Sequence, residues 1–216
     1  MPEKKAKTVT LKKLKKDGSI DERSFRRISV SIAAGEIVVL PVDSVYGFVC
    51  LDKGDIARLL PNAMHSPESL IRLVSSFKML DEIVSIGKLE YDFLHRVWPG
   101  ELDVILKMKS LKNSNIPVRF PRNKFIQDLI SFLGSHLVFF PVMDEAKKNV
   151  YIEDQLIRYC ENRADLLVII KEICKEHSLP TAIDISRGDL MILHEGRMSS
   201  DEIKSLYFLG IGDSAD

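Results

Sequence analysis

The sequence is short of the residues that usually announce a chemistry. Cysteine occurs three times in 216 residues. Cys50, Cys160 and Cys174 form an odd set without C-x-x-C spacing, which excludes a disulfide framework and a thiolate zinc site. Cys50, inside Val49-Cys50-Leu51, reads as a small buried hydrophobe. No apolar run approaches the ~18–20 residues a membrane-spanning helix requires. Net charge is also lacking: Lys+Arg and Asp+Glu number 31 each, so the whole molecule exerts no global pull on nucleic acid. There is no P-loop, no Ser/His/Asp arrangement and no histidine cluster at metal spacing, and no bound metal is expected. The basic start is not followed by the apolar segment of about 7–15 residues that a secretory signal needs, and it lacks the arginines of a transit peptide. The expected compartment is the cytoplasm, with no membrane partner.

What is present is a chain that is 45% hydrophobic, long enough for one large domain with a substantial core. Its charge is unevenly placed. Residues 1–16 carry seven lysines (Lys4, Lys5, Lys7, Lys12, Lys13, Lys15 and Lys16) against Glu3, a local excess of +6 balanced by −6 over residues 17–216. Such an arm is either a solvated, frayed terminus or a phosphate-binding tail for RNA. The expected division is a basic, flexible arm over residues 1–16, a domain over 17–210 and a short tail over 211–216.

Helical and extended patterns alternate along the domain. Ser19-Ile20-Asp21-Glu22 reads as a capping box before a helix with Phe25, Ile28, Ile32 and Ala33 on one face, ended by Gly35. Residues 36–42 and 45–51 read as two buried strands about a tight turn. A short helix over 55–60, a strand over 69–75 and an amphipathic helix with Tyr91, Leu94, Val97 and Trp98 on one face follow. Residues 102–108 alternate as a strand, 125–133 form an amphipathic helix closed by Gly134, and 136–142 and 152–159 read as strand and helix. Residues 166–170 are either a buried strand or the start of a helix. Strands over 181–185 and 190–194 and a helix capped by Ser199 complete the pattern. The composite is one α/β domain with a twisted mixed sheet.

Three motifs carry a resemblance: Pro41-Val42-Asp43-Ser44-Val45-Tyr46-Gly47, then Trp98-Pro99-Gly100, then Val118-Arg119-Phe120-Pro121. In this order and spacing they resemble the YrdC-like family, whose best-known members are threonylcarbamoyl-AMP synthases acting on threonine, bicarbonate and ATP in tRNA modification. The resemblance implies a single YrdC-like domain with flanking helices and a concave cleft. Onto that cleft it maps Asp43, Ser44, Tyr46, His65, Arg119, Thr181 and Asp184 as candidate substrate-binding residues. Arg119 is either an ion-pair partner or an anion contact. Trp98 reads as a core anchor.

Other positions depart from the family pattern. Its K-x-R falls on Ala63 and His65. Val42 stands where a threonine hydroxyl belongs. Pro141 and Met143 replace the serine and asparagine of its S-x-N, Pro180 replaces the serine of S-T-x-x-D, and His194 stands for an arginine. Glu101 and Asp103 add carboxylates after Trp98-Pro99-Gly100. The changes remove hydroxyls, an amide and cations or add carboxylates, and adenylate chemistry depends on neutralising phosphate charge. The expectation is therefore a degraded ATP/threonine site with little or no family activity, the alternative being an active synthase with a rearranged site. No catalytic residue is assigned, and ATP and magnesium are expected as cofactors only if the family activity is retained. The partners expected are tRNA or double-stranded RNA, through Lys4, Lys5, Lys12, Lys13, Lys15 and Lys16, or a protein.

Overall fold

The computed structural model describes residues 6–11, 13–52, 70–144, 148–170 and 179–212. In chain order they form β1 (Lys7–Leu11), α1 (Glu22–Ala33), β2 (Val38–Val42), β3 (Val45–Leu51), β4 (Ile71–Leu73), α2 (Phe77–Ile83), α3 (Lys88–Val97), β5 (Leu102–Lys107), β6 (Asn115–Arg119), α4 (Lys124–Leu133), β7 (Leu137–Pro141), α5 (Glu153–Cys160), β8 (Leu166–Ile170), β9 (Thr181–Asp184), β10 (Met191–His194) and α6 (Ser200–Gly212). The strands join in one mixed sheet of order β1-β8-β2-β3-β7-β4-β6-β5-β9-β10. The mixed α/β fold expected from the alternating patterns is the one observed.

Burial on both faces explains why the central strands read as continuous apolar runs. On one face Val38, Leu40, Val42, Val45, Val49, Leu137 and Phe139 meet Ile28 and Ile32 of α1 and Phe125, Leu129 and Ile130 of α4. On the other, Val39, Tyr46, Phe48, Cys50 and Val138 meet Leu156 and Cys160 of α5. A third cluster packs Trp98 and helices α3 and α6 against Val104, Leu106, Val118 and Ile183 of β5, β6 and β9. Each such side chain contributes roughly 1.5–3 kcal/mol when fully buried. Trp98 anchors this corner as expected, being 4% exposed with its Nε1 donating to the Leu102 carbonyl at 3.0 Å.

Several local expectations need correction. The cap of α1 is Asp21, whose carboxylate accepts from the Ser24 amide at 2.9 Å; Ser19 instead donates to Asp17. A carboxylate at that position also favours the positive end of the helix dipole. The ambiguous run 166–170 is a strand, held parallel by β1 on one side and β2 on the other. The basic arm is not free along its length: Lys7–Leu11 pairs in register with Leu166–Ile170 and makes an edge of the sheet. Its Thr-Val-Thr core favours extended backbone, and the open edge of β8 supplies the hydrogen bonds. The helix expected over 55–60 lies outside the described residues. Among the described residues no helix is long and apolar enough to cross a membrane.

Gly47 in β3 fixes how tightly the sheet centre closes. A Cβ there would sit 2.0 Å from Cε2 of Phe139 and 2.7 Å from the Phe140 carbonyl oxygen. The ring is buried and the carbonyl is main chain, so neither can yield cheaply. Gly47→Ala is therefore expected to lose about 1–3 kcal/mol of stability or more. Chemical denaturation measures this, and an unchanged midpoint would contradict the packing.

Candidate functional site

The site is built around the end of β6. Strand alternation sends Val118 into the third cluster and Arg119 to the opposite face, beside Leu73 of β4 in the register. Arg119 is 1% exposed, the largest fully buried side chain among the described residues. Asp103 of β5 reaches it from the adjacent strand: Arg119 Nε donates to Oδ1 at 2.6 Å and Nη2 to Oδ2 at 2.8 Å. The guanidinium lies 5.4 Å from the Phe139 ring centre, the ring that Gly47 makes room for. Burial works against the Arg119 charge, but Asp103, Asp43 and Glu101 outweigh it and hold the group above its ordinary pKa. Nη1 is left buried with no hydrogen-bond partner among the described residues.

Arg119 and Asp103 form part of the wall of a cavity of about 570 Å³. The same wall holds Pro141, Met143, Pro180 and His194, four positions where the sequence departs from the family pattern. The departures thus converge on one space. Most of the remaining lining is apolar, including Val45, Phe48, Ile71 and Phe140. Val42, by contrast, is fully buried in the core and has no surface to offer a ligand.

A second groove, of about 450 Å³, lies at the β2–β3 turn and is lined by Asp43, Ser44, Glu101, Arg122, Asn123 and Arg197. Its polar groups are engaged with one another. Ser44 Oγ donates to Glu101 Oε2 at 2.5 Å, and Arg197 and Arg122 approach the same carboxylate at 3.1 and 3.4 Å. Asp43 adopts φ 53°, a left-handed value tolerated by Asp and Asn. Its Oδ1 accepts from the Asn123 amide at 2.8 Å, while Oδ2 is buried without a partner among the described residues. Burial raises the Asp43 pKa from 3.8 to about 6, against the pull of Arg119.

The structure therefore divides the candidates. Arg119 lines the cavity; Asp43 and Ser44 line the neighbouring groove. Tyr46 is not brought to the Arg119 face. It lines neither space, packing instead with Val39, Cys50 and Leu167 in the second core cluster, and its hydroxyl accepts from the Ile170 amide at 3.0 Å. The hydroxyl that the motif suggested for substrate instead ties β3 to β8. Thr181 is fully buried, donating to the Met198 carbonyl at 2.7 Å and accepting from the amides of Gly196 and Met198. It staples the segment after β10. Asp184 accepts from the Ser186 amide at 2.8 Å and closes the turn after β9. His65 and Ala63 lie outside the described residues, as do Lys4, Lys5 and Lys12; Lys13, Lys15 and Lys16 are exposed.

Arg163 was not anticipated. It lines the cavity with its guanidinium 4.8 Å from the Phe48 ring centre. It follows Asn162, at φ 60°, in the turn between α5 and β8. No spacing rule singles out an arginine in such a turn; its position depends on which way residues 166–170 fold.

Comparison with known proteins agrees with this fold. The model of the Sua5/YciO/YrdC family, described as "Telomere recombination", matches residues 31–196. An uncharacterized protein of Haemophilus influenzae is 23% identical over 77% of this chain and 86% of its own length. E. coli YciO superposes with a TM-score of 0.78 at 17% identity, covering 92% of this chain and 99% of that one. Sua5 of P. abyssi complexed with L-threonine gives 0.77 at 17% identity, over 93% of this chain and 60% of that chain. The chain belongs to the Sua5/YciO/YrdC family.

The raised Asp43 pKa carries a sign. Between pH 3.8 and about 6 the folded carboxyl keeps a proton that the unfolded chain has released, so stability falls as pH rises through this window. Asp43→Asn preserves the oxygen that accepts from Asn123 and removes the buried charge. It is expected to stabilise the protein by about 2–3 kcal/mol above pH 7 and by little near pH 4. Melting curves at the two pH values measure this, and equal shifts at both would contradict the assignment.

Proposed function

We propose that this chain is a ligand-binding member of the family whose ATP and threonine site is degraded and which has little or no threonylcarbamoyl-AMP synthase activity. The observation that carries the reading is the closed charge pair in the cavity. Arg119, the cation retained from the family motif, has Nε and Nη2 committed to Asp103. A triphosphate brings several negative charges and needs cations that strengthen their hold as the leaving group departs. Beyond the Arg119–Asp103 pair the described lining supplies one further arginine, Arg163, and one histidine, His194, and it adds the Asp144 carboxylate. Pro141, Met143 and Pro180 supply no side-chain hydroxyl or amide there. The described residues of this wall do not fit magnesium and ATP. Purified protein with ATP, magnesium, threonine and bicarbonate is expected to release no threonine-dependent pyrophosphate. Release at an ordinary enzymatic rate would establish the alternative, an active synthase with a rearranged site.

A second reading, RNA binding, is favoured by a separate surface. Lys7 of β1 and Arg23, Arg26 and Arg27 of α1 line one groove, with Glu36 and Asp165 as its acids. Exposed Lys13, Lys15 and Lys16 follow β1 along the chain. Cations gathered at one sheet edge suit a phosphate backbone better than a free tail does, because fewer side chains must be ordered on binding. Replacing Arg23, Arg26 and Arg27 by alanine is expected to weaken tRNA binding and flatten its salt dependence, as read by filter binding across ionic strengths. An unchanged slope would remove this face from the interaction.

A further inference from the structure

We propose that the cavity beside Arg163 binds a compact organic monoanion, a carboxylate on an apolar and preferably aromatic body, with Arg163 reading the charge. This deepens the reading of a site that no longer takes ATP, and it rests on that reading. A volume of about 570 Å³ lies within the usual size of small-molecule sites, roughly 300–1,000 Å³. The apolar wall formed by Phe48, Phe140, Pro141, Met143 and Pro180 matches an uncharged body and gives a sugar or triphosphate little to bond with.

Two donors point to the anionic end. Arg163 is half-buried with its guanidinium over the Phe48 ring, and its side chain makes no hydrogen bond or ion pair among the described residues. The ring contact leaves the guanidinium N–H groups available, and their fork suits a carboxylate. Burial lowers the Arg163 pKa, so the charge is partly desolvated and gains from an anionic partner. The second donor is Arg119 Nη1, buried in the same wall without a partner among the described residues. The acids argue for a single ligand charge. Asp103 is engaged by Arg119, whereas the Asp144 carboxylate accepts only from the Lys148 amide among the described residues and brings a second carboxylate to the wall. One unpaired cation facing one such acid tolerates a monoanion and repels a polyanion.

Calorimetric titration of the full chain with indole-3-propionate and with its neutral amide tests the proposal without any variant. The acid is expected to bind, and the amide to bind roughly ten-fold or more weakly, since a charge-assisted hydrogen bond is about twice as strong as a neutral one. Arg163→Met keeps an apolar stem over Phe48 and should bind acid and amide alike while retaining the wild-type melting curve. Arg163→Lys, which keeps the charge, should retain a preference for the acid. Equal affinities for acid and amide in the wild type, no binding of the acid at millimolar concentration, or an undiminished preference in Arg163→Met would overturn it. A parallel titration with ATP and magnesium separates the two readings. Tight nucleotide binding defeats the degraded-site reading, while silence towards both nucleotide and acid defeats only the monoanion. Threonine binding in place of the acid also defeats the monoanion.

Discussion

The structure turns on one buried ion pair, Arg119 with Asp103. A guanidinium that is 1% exposed loses its hydration and is stable only if its charge and donors are met inside the protein. Asp103 meets two donors in a fork, and the face of Phe139 lies beneath the plane. The pair joins β6 to β5, while Phe139 belongs to β7 and rests in the space left by Gly47 of β3. Four strands therefore contribute to one interaction. Removing either charge leaves the other buried and unmatched, a loss on the order of 3–5 kcal/mol.

The same pair sets the electrostatic character of both cavities. Arg119 is neutralised by Asp103 on one side of the β2–β3 turn, and Glu101 is surrounded by Ser44, Arg122 and Arg197 on the other. These groups complete one another rather than waiting for a ligand. Phosphate chemistry requires cations held apart from internal carboxylates so that their field falls on the reacting group. Here the carboxylates at positions 101 and 103, which follow Trp98-Pro99-Gly100, absorb that field. In the degraded-site reading proposed above, the gain of acids close to Arg119 therefore matters as much as the loss of hydroxyls.

Architecture was legible in the sequence wherever it follows from periodicity. Burial of β5 alternates at Leu102, Val104 and Leu106, and α4 ends at Gly134 with φ 65°, both as the pattern implies. Edges were less legible. Lys7–Leu11 is polar enough to pass for a tail, and only the open side of β8, distant in sequence, makes it a strand. Within the site, Arg119 stood out because an arginine inside an apolar strand must have a reason. Its choice between ion pair and anion contact depended on where Asp103 points, which is a fact about the register of two strands. Tyr46 and Thr181 could not be placed from sequence for a related reason: a motif names residue types but not which side of the sheet each faces.

Hydroxyls retained in a family motif can therefore be kept by the fold alone. Tyr46 holds the end of β8, Thr181 holds residues 196–198, and Ser44 holds Glu101, so three polar motif residues are fully accounted for within the chain. What remains over is more informative. The buried side-chain polar atoms without partners among the described residues belong to Asp43, Arg119 and Asn149. Two of these residues attract one another electrostatically from adjacent cavities. An unpartnered buried polar atom costs about 1–3 kcal/mol unless something outside the chain meets it. Under the proposal above, a ligand oxygen in the adjoining cavity offsets that cost at Arg119, whose other donors are matched by Asp103. The binding capacity proposed for this member of the family accordingly starts from Arg163 and the donor of Arg119 that its own carboxylates do not reach, and not from the hydroxyls that make its sequence recognisable.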